Sequence, residues 1–191
     1  DRLVLQDIAA MVNGSLAASM TSAVSVHAAT TGLKVATSRP HIVSAMQTYA
    51  VLDRGSEKKI FTDEIFKLDR ESLAAVVRGL FTADGTISGN AEKGYYVGLD
   101  STSLDLLKQT QILLLNFGIK AKLYRNRRNF DWAMLPNSHR EPQRYPVQQM
   151  HSLRITRSSR VLFEQAIGFA AGTAKAKKLG HINRTREAYA D

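Results

Sequence analysis

Apolar positions along the chain change period several times, and those changes mark out its elements. Leu73, Val76, Val77, Leu80 and Phe81 recur at the spacing of a single helical stripe. Asp69 stands ahead of them as an N-cap, which predicts a helix from Arg70 to about Ala83 stopped by Asp84-Gly85, with the glycine in a left-handed turn. Thr86 to Ser88 and Gly94 to Leu99 then read as two strands of a hairpin around the polar run Gly89 to Lys93. Leu104 to Phe117 returns to the helical period, entered from Ser101-Thr102-Ser103 and ended by Gly118. Lys120 to Arg125 alternates as a strand, Asn126 to Pro146 is a long polar loop or frayed hairpin, His151 to Thr156 is another strand, and Val161 to Phe169 a third helix closed near Gly172. This order predicts an α+β fold, an α/β sandwich of the αββαββα type, with helices on one face of an antiparallel sheet and the other face free.

Before this unit the pattern is fainter. Leu3 to Val12 reads as a short amphipathic helix ended by Asn13-Gly14, followed by strand-like Ala23 to Ala28 and Leu33 to Ala36 and a helix from His41 to Leu52 opened by Thr37-Ser38. The succession echoes the later one, so residues 1–68 are expected to be a shortened, diverged repeat plus the linker Asp53 to Asp69, and residues 69–191 the complete unit.

Charge adds a partner to this outline. The chain carries a formal +9, and between Lys120 and Arg160 ten basic residues face only Asp131 and Glu141, so eight of the nine net charges fall in that segment. One sign concentrated this way implies a polyanion, with nucleic acid foremost; the competing reading is a solvated basic face. No apolar run approaches the length of a membrane helix, and no basic head precedes an apolar stretch as in a secretion signal. With no cysteines there are no disulfides or thiolate metal sites. A cytoplasmic protein with no membrane or small-molecule partner is expected.

Candidate chemistry lies in Val77-Arg78-Gly79-Leu80-Phe81-Thr82-Ala83-Asp84-Gly85. Ala75, Gly79 and Ala83, four apart, form a ridge of small residues beside the apolar stripe, suited to close approach of a twin helix. The ridge ends at Asp84, so two such helices would bring two carboxylates together. Such a pair repels itself unless a cation lies between, and oxygen ligands suit Mg²⁺, which can assist hydrolysis of a phosphodiester. The plain alternative is that Asp84-Gly85 is only a turn.

The stretch Val77 to Gly85, ending Ala-Asp-Gly, resembles the motif that names the LAGLIDADG homing endonucleases. Lys58-Lys59-Ile60, Glu64-Ile65-Phe66, Leu99-Asp100-Ser101-Thr102-Ser103, Leu113 to Ile119 and Tyr124-Arg125-Asn126-Arg127-Arg128 are similar to those enzymes as found in inteins, particularly inteins of ribonucleotide reductases. The likeness runs over about residues 56 to 185. It implies a metal-dependent enzyme cutting double-stranded DNA at a specific site, with Asp84, and Gly85 beside it, at a Mg²⁺ ion. It implies a saddle-shaped sheet in the major groove, bringing Lys93, Tyr95, Lys120, Lys122, Tyr124, Arg125, Arg127, Arg128, Arg154 and Arg157 to bases and phosphates, with Arg140 and Arg144 from the intervening loop.

The sequence also departs from the family. Monomeric members carry two motifs, whereas the first-half candidate, Ile8 to Gly14, has Asn13 in the acidic place. A homodimer through the Ala75/Gly79/Ala83 ridge or a degenerate enzyme follows. Position 1 is neither cysteine nor serine, and the chain ends Tyr189-Ala190-Asp191 rather than in a His-Asn pair, so it reads as an endonuclease region that does not self-splice. The five histidines show no ligand spacing. Phe130 and Trp132 are candidates for base stacking or for anchoring their loop, and Lys175, Lys177 and Lys178 for phosphate contact or for favouring a helix dipole. Two competing functions are a non-catalytic, sequence-specific DNA-binding protein of the same fold and an RNA-binding splicing helper of the maturase kind.

Overall fold

A computed structural model describes residues 5–6, 9–10, 25–29, 32–37, 39–51, 54–128 and 131–184, with the backbone alone for 25–29 and 32–35. The predicted Asn13-Gly14 motif and Phe130 lie outside the described residues. The elements are β1 (Ser25–Ala29), β2 (Gly32–Ala36), α1 (Pro40–Tyr49), α2 (Arg70–Asp84), β3 (Gly85–Asn90), β4 (Gly94–Ser101), α3 (Leu104–Leu115), β5 (Lys122–Tyr124), β6 (Trp132–Pro136), β7 (Pro142–Pro146), β8 (His151–Thr156), α4 (Arg157–Ala166) and α5 (Ala174–Arg184).

Local rules account for the ends of the main helices. The Asp69 carboxylate accepts from the backbone N–H groups of Glu71 and Ser72 at 3.0 and 2.9 Å, and these bonds hold its pKa below the ordinary value. Ser103 caps α3 by accepting from Leu106 N–H, while its own hydroxyl donates to the Lys59 carbonyl. Gly118, at φ 73°, closes α3 and lets Ile119 N–H reach back to the Leu114 carbonyl.

The expected left-handed turn at Gly85 is not what forms. Gly85 is extended (φ −70°, ψ 155°), and β3 starts directly where α2 stops. Glycine is needed there for space: a Cβ would lie 2.4 Å from the Phe81 carbonyl oxygen.

Strands β3, β4, β8 and β5 form one antiparallel sheet in the order β3-β4-β8-β5. Ile87, Val97, Leu99, Leu153 and Ile155 point from it into the core against Leu73, Val77 and Phe81 of α2, Leu107, Leu113 and Leu114 of α3, and Phe163 of α4. Phe163 ties the helices together, 4.9 Å from the Phe81 ring and 5.7 Å from Phe169. The α+β class and the αββαββα order therefore hold, with one addition. Of the loop and the hairpin expected in the polar stretch after β5, a hairpin forms as the separate sheet β6-β7. Beyond α4, α5 buries Leu179 and Ile182.

Two boundaries move for physical reasons. Helix α4 begins at Arg157 rather than Val161, because Arg160, read as surface charge, is buried and donates to Asn183 Oδ1 and the Tyr95 carbonyl. Strand β5 is only Lys122–Tyr124, since Asn126 turns the chain at φ 51°. Helix α5 escapes the apolar pattern because lysines and Gly180 interrupt it. The stretch expected as linker contributes Phe61 and Ile65 to the core, and the Phe61 backbone exchanges hydrogen bonds with the Gln109 side chain.

Gly85→Ala is expected to destabilise the fold by about 1–3 kcal/mol, the range for forcing a methyl into a packed site. A urea titration against the native chain measures it.

Candidate nucleic-acid interface

The two-residue period of the sheet leaves a second face that no helix covers among the described residues. Register sets its rows. Thr86, Gly98, Arg154 and Lys122 are aligned across the four strands, flanked by the pair Tyr96–Thr156 on one side and the row Asp100–Ser152–Tyr124 on the other. These residues are polar, aromatic or cationic, the converse of the apolar face behind them. Arg154 lies over the rings of Tyr96 and Tyr124, and Lys122 and Arg127 also approach Tyr124, at 5.2 and 5.7 Å. Gly98 is buried here because the Tyr96 ring leans across it: a Cβ would meet Tyr96 Cε2 and Thr86 Oγ1 at 3.1 Å.

At one end of the face a cavity of about 650 Å³ opens between the β3–β4 turn and the start of α4, lined by Gly89 to Tyr96, Tyr124, Arg154, Thr156, Arg157 and Arg160. Lys93 belongs to that turn, its N–H donating to Asn90 Oδ1. Arg157 opens α4 with φ 50°, an uncommon conformation for arginine.

The other expected contacts scatter around this face. Lys120 is exposed between α3 and β5, and Arg125 and Arg127 are exposed just past β5. Arg128 donates to the Gln148 carbonyl. Arg140 and Arg144 stand on the β6-β7 hairpin, Arg140 at its turn and Arg144 over the Trp132 ring at 4.3 Å. Tyr95 is placed differently: it packs partly buried against the core, and its neighbour Tyr96 takes the free face. Alternation alone carried that signal, because Val97 and Leu99 point inward and Tyr95 shares their parity.

Asp84 is exposed at the C-terminus of α2, and its oxygens accept no hydrogen bond among the described residues. No basic residue lies in the last turn of α2. Lys175 of α5 supplies the missing cation, its ammonium donating to the Thr82 and Ala83 carbonyls at 2.7 and 3.2 Å. Burial pushes the Lys175 pKa down, and the Asp84 carboxylate opposes that shift. Lys178 donates to the Ile87 carbonyl. Two of the three α5 lysines thus hold backbone at the α2–β3 junction. Among the described residues Ala75, Gly79 and Ala83 lie exposed along α2, and a Cβ on Gly79 would meet none of their atoms within 4 Å. Among the described residues no three His, Asp or Glu side chains converge to hold a metal.

Residues 71–168, half of the chain, match the family model described as a LAGLIDADG-like domain. The chain belongs to that family. Two of its relatives are the ribonucleoside-diphosphate reductase NrdEB subunit alpha of Bacillus subtilis (strain 168) and that of Bacillus phage SPbeta, each 34% identical over 52% of this chain and 9% of the relative. Another is a glutamine–fructose-6-phosphate aminotransferase of Methanocaldococcus jannaschii, 29% identical over 64% of this chain and 10% of the relative. The chain thus spans about a tenth of the length of the curated relatives it matches. No solved structure matches it. Within the family domain, the motif stretch Val77 to Gly85 is the second half of α2 and its junction with β3.

Because no described residue opposes a side chain at Gly79, Gly79→Ala is expected to raise the stability of a lone chain by up to about 1 kcal/mol. If the ridge meets a twin helix, Gly79→Leu remains folded and loses association. Thermal melts and sedimentation read the two effects separately.

Proposed function

We propose that this domain is the DNA-cutting region of an intein: a site-specific double-stranded DNA endonuclease that uses a divalent metal. The observation that carries the reading is the joining of Asp84, exposed and accepting no hydrogen bond among the described residues, to a sheet whose open face is cationic and aromatic. Family membership supports it. So do the relatives, whose matched segment is a tenth or less of two enzymes with different chemistry, as expected of a module inserted into unrelated hosts.

In this reading duplex DNA lies along the free face. Arg125, Arg127, Arg128, Lys120 and Lys122 meet phosphates, as do Arg157 and Lys93 beside the cavity, and Arg140 and Arg144 extend the footprint. A free carboxylate is the hard oxygen donor that Mg²⁺ takes, so Asp84, with Gly85 beside it, would hold the ion, which supplies charge stabilisation to the attacking and leaving oxygens. The second acid comes from a partner. Residues 69–191 form the cutting half, and either a second copy across the Ala75/Gly79/Ala83 ridge or the diverged residues 1–68 complete it. Asn13 in the acidic place of the first half favours one further reading, a domain that binds its site without cutting it.

Asp84→Asn is expected to abolish Mg²⁺-dependent cutting of a plasmid bearing the uninterrupted host gene, while binding persists or strengthens as repulsion from phosphate is removed. Asn13→Asp should raise cutting if the first half is the partner and leave it unchanged if a second copy is. Cutting by Asp84→Asn at the native rate would end the endonuclease reading. Affinity should fall with salt at a slope of about −0.9 per phosphate contact, and Arg125, Arg127 and Arg128 changed together to alanine should weaken binding and flatten that slope.

A further inference from the structure

The cations of this domain are held in different ways, and the manner of holding separates their tasks. Arg70 donates to the Asn116 carbonyl, Arg78 to that of Ile167, and buried Arg160 to Tyr95 and Asn183, so these three brace the fold. Arg154 is different. Its guanidinium carbon lies 4.4 Å from the Tyr96 ring centre and 4.8 Å from that of Tyr124. The two rings come from β4 and β5, the strands on either side of β8. Each is diagonal to Arg154, since Tyr96 pairs with Thr156 and Tyr124 with Ser152. Arg154 Nε approaches Ser152 Oγ at 3.5 Å, and neither Nη group donates a hydrogen bond among the described residues.

A guanidinium attended by two aromatic rings is held in place by them, and its N–H groups form a planar edge suited to recognition. The rings restrict its rotamers before any ligand arrives, so less conformational entropy is lost on binding. The edge is a fork of parallel N–H donors, matching two acceptors set side by side. Guanine O6 and N7 in the major groove are one such pair, and phosphate oxygens are another. Position decides between them. Strand β8 is an inner strand of the sheet, and Arg154 stands mid-row between Gly98 and Lys122, where a surface in the major groove meets base edges rather than the flanking backbone.

We infer that Arg154 reads a guanine in the target duplex, with Tyr96 and Tyr124 as its positioning residues. The inference rests on the reading of this face as a duplex-DNA surface. Gly98 belongs to the same device, because the space above it is where the Tyr96 ring lies.

The test is affinity selection from a randomised duplex library, without divalent metal, using the native chain, Arg154→Ala, Arg154→Lys and the double variant Tyr96→Leu/Tyr124→Leu, each checked for native circular dichroism. The native chain is expected to select one guanine position that Arg154→Ala loses, with affinity for the best duplex falling about 5- to 150-fold. Arg154→Lys keeps the charge and its share of the salt slope but loses that guanine. The tyrosine double variant blunts preference at the same position with Arg154 still present. Replacing that guanine by 7-deazaguanine weakens the native chain and leaves Arg154→Ala unaffected. Uniform weakening by Arg154→Ala over all duplexes, with every guanine preference intact, would make Arg154 a phosphate contact and overturn the inference. A native chain that selects no duplex would instead remove the DNA-binding reading beneath it, a result visible before any variant is compared.

Discussion

Everything in this domain depends on a sheet that must be dry on one side only. The two-residue period of β4 and β8 sends Val97, Leu99, Leu153 and Ile155 under the helices, and the same period obliges Tyr96, Gly98, Ser152 and Arg154 to the other face. A one-residue slip between the strands would exchange the two sets, burying a guanidinium and exposing the core. Burial of the apolar side therefore fixes the geometry of the polar side. The rings and cations of the open face need no separate force to line them up.

The helices that cover the dry side also determine where the acid sits. Helix α2 is fastened at its start by the Asp69 cap, along its length by Leu73, Val77 and Phe81, and at its end by the Lys175 ammonium on the Thr82 and Ala83 carbonyls. Asp84 accepts no hydrogen bond among the described residues, and its carboxylate acts on this fastening only through its charge on Lys175.

Strong periodicity made much of this legible from the residues. The stripe on α2, the Asp69 cap, the β8 strand and the α+β layering all follow from the spacing of apolar side chains, because burial of those side chains is the force that forms the elements. What stayed hidden was polar atoms doing core work. Arg160 counts as charge in a sequence and as interior in the fold, and α5 packs a basic segment through Leu179 and Ile182. Tyr95 and Tyr96 are alike as letters, and only the parity set by Val97 separates the packed ring from the open one. The aromatic attendance of Arg154 was out of reach, since Tyr124 and Tyr96 meet it from strands that only the sheet order makes its neighbours. Whether a second carboxylate joins Asp84 depends on a surface that one chain's periodicity does not describe.

The direct passage from α2 into β3 at Gly85 works as a ruler. A connecting loop would let the end of the helix drift relative to the sheet, but the missing Cβ lets the two elements join with no residue between them. Asp84 is then joined by a single peptide bond to the strand that begins the sheet. In the proposed reading, the step from the bases a duplex presents to the open face to the bond cut beside Asp84 would have a fixed length, and sequence changes on the strands would retarget the domain while that offset stayed the same.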